Sequence, residues 1–111
     1  MKHLLLLALV ACAHHAPTWK DPAGAFTVEP GAYKLDAITH HTGHAEYHFM
    51  RPGSIDSVDI AYTDAIDNFE RAVSRAKPGE HYVRGHRHLF ECNAPIETAA
   101  LAVCNSLVAT D

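Results

Sequence analysis

The main apolar stretch of the chain, Leu4 to Val10, falls far short of the roughly 20 residues that a membrane-spanning helix needs. Phosphate-cradling glycine loops are absent, and so is the H-E-x-x-H helix motif of zinc proteases. No nucleophile stands in an elbow or Gly-rich context: Ser54, Ser57, Ser74 and Ser106 all lack it. Nine Lys and Arg against 13 Asp and Glu, with no basic cluster, leave nucleic acid without an electrostatic footprint. At 111 residues the chain has room for one small domain, near the size where a core just supports itself. These absences point to a protein that is not an enzyme.

What is present is concentrated first at the start. Met1-Lys2-His3, the apolar run and the small residues after it have the layout of a secretory signal, so residues 1–11 fall outside the fold. Leu9-Val10-Ala11-Cys12 resembles the lipobox of bacterial lipoproteins. That resemblance implies cleavage before Cys12, a diacylglycerol on its thiol and an acyl chain on its new amine. At roughly 0.8 kcal/mol per buried CH₂, one chain binds marginally and several anchor stably, so the implied partner is the membrane itself. Ala13, standing where an Asp commonly retains lipoproteins in the inner membrane, points to the outer membrane facing the periplasm. The competing reading takes Ala11-Cys12-Ala13 as an ordinary A-x-A cleavage site, which releases a soluble periplasmic or secreted protein beginning at His14.

Assigning Cys12 to lipid leaves Cys92 and Cys104 as an even pair in an oxidising compartment, where a disulfide is expected. Its two Cα atoms must come within about 7 Å, whereas a straight helix across that interval separates them by roughly 18 Å. The segment between them must turn back; if it is one unbroken helix, the thiols are free or pair between molecules.

Residues 12–24 contain Pro17 and Pro22 without periodicity and read as a tether, so residues 25–111 are left as a single α+β domain. Phe26 and Val28 before Pro30-Gly31 suggest a first strand. Tyr33 to His41 and His44 to Met50 flank Thr42-Gly43, the pattern of a hairpin. In that register His41 faces His44, Thr39 faces Glu46 and Ala37 faces His48, all on one side of the sheet. Ile38, Ala45, Tyr47 and Phe49 make the core side, interrupted by Asp36 and His40. Ser57 to Tyr62 reads as a third strand, and Asp56 and Asp59 as solvated carboxylates flanking a turn. One main helix follows over residues 64–77, packed on the sheet through Ile66, Phe69, Ala72, Val73 and Ala76 and ended by Pro78-Gly79. A fourth strand is expected within His81 to Cys92, with Gly85 as a bulge. Ala94 to Val108 fits helix or strand almost equally, and the cysteine geometry favours strand.

The opening strand Phe26-Thr27-Val28-Glu29-Pro30, the turn from His41 to His44, the helix from Asp64 to Lys77 and the strand from His81 onward are together similar to the PsbP-like α/β/α sandwich, which also occurs in small envelope lipoproteins. That family continues with further strands and a C-terminal helix, so this chain reads as a minimal or truncated version.

Histidine is the remaining anomaly, at 10 of 111 residues. Imidazole suits zinc and copper, and the hairpin places His41, His44 and Glu46 on one face, with His48 two positions further along. Two functions follow: a lipid-anchored envelope protein with a non-catalytic binding or structural role and a protein partner, or a periplasmic zinc or copper binding domain. Protonating the histidines reverses the formal charge balance, so partner or membrane binding would change between about pH 7.5 and 5.5.

Overall fold

The computed structural model describes residues 17–111, so the expected signal sequence, Cys12 and the start of the expected tether lie outside the described residues. Among the described residues eight strands form, named in chain order: β1 Trp19–Lys20, β2 Phe26–Val28, β3 Lys34–His41, β4 His44–Met50, β5 Ser57–Thr63, β6 Glu80–Arg84, β7 Leu89–Asn93 and β8 Val108–Ala109. Two α-helices accompany them, α1 Phe69–Ser74 and α2 Thr98–Asn105. A five-stranded sheet runs in the order β3-β4-β5-β7-β6 and a three-stranded sheet in the order β1-β2-β8, with every pairing antiparallel.

The hairpin forms in the register its alternation dictates. His41 pairs with His44, Thr39 with Glu46 and Ala37 with His48, and Gly43 at φ +71° closes the turn. The pairing slips by one residue at Asp36, so that Leu35 lies opposite Phe49 and Ile38 opposite Tyr47. Ala45, Tyr47 and Phe49 of β4, Val58 and Ile60 of β5, and Phe90 and Cys92 of β7 are fully buried on one face. Phe26 and Val28 from the small sheet and Ala100, Val103 and Cys104 from α2 close over them. Aromatic rings meet edge-on across this seam, Phe26 with Tyr47 at 4.8 Å and Trp19 with Phe49 at 5.3 Å between centroids.

Several expectations need correcting. The tether gives up its last residues to the fold: Trp19 pairs with Val28 and stacks into the core, and Asp21 is buried behind it. The expected helix over 64–77 is a 3-10 turn, Ile66–Asn68, followed by the six residues of α1, and none of its residues is buried. The crossover joins the end of β5 to the start of β6 and contacts mainly β6, so its apolar stripe finds only part of a surface to cover. The helix that packs on the core is instead α2, within the segment the cysteine spacing favoured as strand. The chain turns at residues 94–97 before α2 begins, which brings Cys92 on β7 and Cys104 on α2 to a Cα separation of 5.5 Å as a disulfide. The turn that the spacing demanded lies ahead of the helix rather than in place of it. Gly85 is no bulge but part of the loop between two strands, β6 and β7, where one was expected.

Candidate functional site

Because alternate residues of each strand point inward, the others assemble a polar face on the opposite side of the large sheet. Register sets their order. Thr39, Glu46, Ala61, Glu91 and Tyr82 form one cross-strand row, and Ala37, His48, Asp59, Asn93 and Glu80 form the next. Small side chains at Ala37 and Ala61 leave a groove of about 260 Å³ between taller neighbours, lined by Thr39, Glu46, His48, Asp59, Glu91 and Asn93.

The charged groups around this groove are held in place. His48 Nδ1 pairs with Asp59 Oδ1, and Ser57 donates its hydroxyl to the other Asp59 oxygen at 3.2 Å. The bond at Nδ1 fixes the orientation of the imidazole ring. Glu91 accepts from the Tyr82 hydroxyl at 2.6 Å and from Asn93 Nδ2 at 2.9 Å. The hydrogen bond to Glu91, followed by burial, pushes the Tyr82 hydroxyl up to about 12, so it stays a proton donor across the physiological range. Glu46 stands exposed on the far side of Ala61, 3.5 Å from His44 Nε2.

The expected metal ligands are therefore distributed rather than gathered. His41 and His44 stack at the turn with ring centroids 5.3 Å apart, and Glu46 approaches only His44. His48 is engaged by Asp59 across the other strand. Among the described residues no group of three or more His, Cys, Asp or Glu side chains converges to hold a metal ion. His40 lies on the inward side, 6.2 Å from the Tyr47 ring. His88 packs against Tyr62 and reaches Asp111, outside the groove.

Asp59, expected as a solvated carboxylate flanking a turn, is instead a strand residue paired with His48. Alternation with Val58 and Ile60 carried the signal that would have placed it on the outward face. Glu91, Asn93 and Tyr82 join the site only through the pairing of β7 with β5 and β6, which no local pattern announces. Asp56 does lie in a loop, bound to Arg51 at 2.7 Å.

Chemically, this surface presents hydrogen-bonding and acidic groups to a ligand, with the His48 imidazole among them. Both resemblances, to lipoproteins at Leu9 to Cys12 and to PsbP-like sandwiches, rest on the sequence that carries them. No protein-family model matches this chain, and no curated protein or solved structure gives a significant match.

Proposed function

We propose that this protein is a lipid-anchored component of the bacterial cell envelope whose domain has a non-catalytic binding or structural role, held at the outer membrane and facing the periplasm. The observation that carries the reading is the buried Cys92–Cys104 disulfide, with both cysteines almost wholly out of solvent. A structural disulfide of this kind belongs to an oxidising, exported compartment, and it leaves Cys12 as the odd cysteine. The polar groove is the surface offered to an envelope partner. Growth with a labelled fatty acid tests the anchor: wild type takes up the label and Cys12→Ser does not. Equal absence of label from both proteins would refute it.

The second reading, a zinc or copper site, draws on the stacked pair His41 and His44 beside Glu46. It requires side-chain rearrangement to complete a ligand set, with His48 released from Asp59. Calorimetric titration decides it. Stoichiometric, submicromolar uptake lost in His41→Ala with His44→Ala supports a site, and weak non-saturating binding rejects it.

A further inference from the structure

Two isoleucines are conspicuous on the surface. Ile55 is 94% exposed and Ile96 is 73% exposed, the highest values among the large apolar residues described. They belong to different loops, 51–56 between β4 and β5 and 94–97 between β7 and α2, yet both loops sit at the same pole of the sheet. Each isoleucine is followed by a carboxylate, and one guanidinium holds both: Arg51 bonds Asp56 at 2.7 Å and Glu97 at 3.0 Å. The clamp fixes the loops side by side and leaves the two carboxylates paired. A shallow groove beside Ile55 is lined by Asp56, Ser57, Asp59, Asn93, Ala94 and Pro95.

The chain enters the fold on the side of this pole: Trp19 packs on Phe49, Asp21 bonds the Tyr47 hydroxyl, and the β1–β2 turn reaches Arg87 and His88 at the opposite pole. Residues 17 and 18 precede Trp19, whose partner Val28 leads through Pro30 to Tyr33, and the Tyr33 ring lies 5.9 Å from the Arg51 guanidinium. From Cys12 to Pro17 the chain reaches no further than about 18 Å, at roughly 3.5 Å per residue.

We infer that this pole rests on the lipid surface, with Ile55 and Ile96 entering the boundary between headgroups and acyl chains. The inference rests on the lipid anchor proposed above, and the occupant it names is a bilayer. A short attachment entering from this side holds the two solvent-facing isoleucines within reach of lipid whenever the anchor is inserted. The opposite pole, with the turn at Thr42-Gly43 and the loop from Gly85 to His88, then faces away from the membrane, and the polar groove stands open along the side of the domain.

The test uses the full lipidated chain in phosphatidylethanolamine and phosphatidylglycerol vesicles containing lipids brominated near the headgroup end of the acyl chain. Tryptophan is introduced by Ile55→Trp at the near pole and by Thr42→Trp at the exposed far turn, with the Trp19 signal of wild type subtracted. Ile55→Trp is expected to be quenched at least about twofold more than Thr42→Trp. Ile96→Trp supplies an independent reading should the first substitution disturb its loop. Equal quenching at the two poles in a chain that carries fatty-acid label overturns the orientation and leaves the anchor standing. A chain that carries no label overturns both.

Discussion

Two buried carboxylates join parts of the chain that are distant in sequence. Asp21 accepts from the Tyr47 hydroxyl at 2.6 Å and from the Ala25 amide at 3.0 Å, locking the β1–β2 turn onto the centre of the large sheet. Burial and the bond to Asp21 push the Tyr47 hydroxyl far above its usual range, so it remains a donor. Tyr47→Phe leaves Asp21 without its side-chain donor in a buried place and is expected to cost about 1–3 kcal/mol in urea unfolding. Asp111 holds the other end. Its oxygens accept the backbone amides of His86, Arg87 and His88 at 2.8 to 2.9 Å and lie 3.0 Å from His88 Nδ1. Burial alone would raise its pKa, but the Arg87 and His86 amides, with the ring and amide of His88, outweigh it and hold the carboxyl below its ordinary 3.8. A carboxyl lowered in the folded state contributes stability at neutral pH that disappears as pH falls through the folded value. Asp111→Asn is therefore expected to cost about 1–3 kcal/mol at pH 7, and the difference from wild type to shrink below about pH 4. A difference that stays constant down to pH 2 would contradict this assignment.

At the scale of elements, α2 owes its position to two attachments: Ala100 and Val103 pack into the core, and Cys104 is bonded to β7. Replacing both Cys92 and Cys104 by Ala is expected to cost about 2–5 kcal/mol, with α2 and β8 losing hydrogen-exchange protection first. Uniform loss of protection across both sheets would instead mean that α2 is no separable unit. The same elements show what could be read in advance. The hairpin was legible because period-two alternation on both sides of Thr42-Gly43 determines register locally. The segment 94–108 was not, because an almost wholly apolar stretch has no phase, and the pairing of Cys92 with Cys104 is satisfied by a turn before a helix as well as by a strand. The stripe from Ile66 to Ala76 misled for a different reason. Spacing shows that apolar residues share a face, but not whether the topology supplies a surface for that face to cover.

In the whole molecule, the two faces of the large sheet divide the work. One carries the core beneath α2 and the small sheet, and the other exposes Glu46, His48, Asp59 and Glu91 around a groove. His44, Glu46 and His48 were identifiable as one face from β4 alone, while their carboxylate neighbours depended on strand order. Display of this face at a membrane depends on Cys12. Mass spectrometry of the N-terminal peptide from the protein purified out of a bacterial host tests that dependence most directly. The expected peptide begins at Cys12 and carries a diacylglyceryl thioether with a further acyl chain on its amine. An unmodified peptide beginning at His14 would contradict the anchor and identify a soluble exported protein instead.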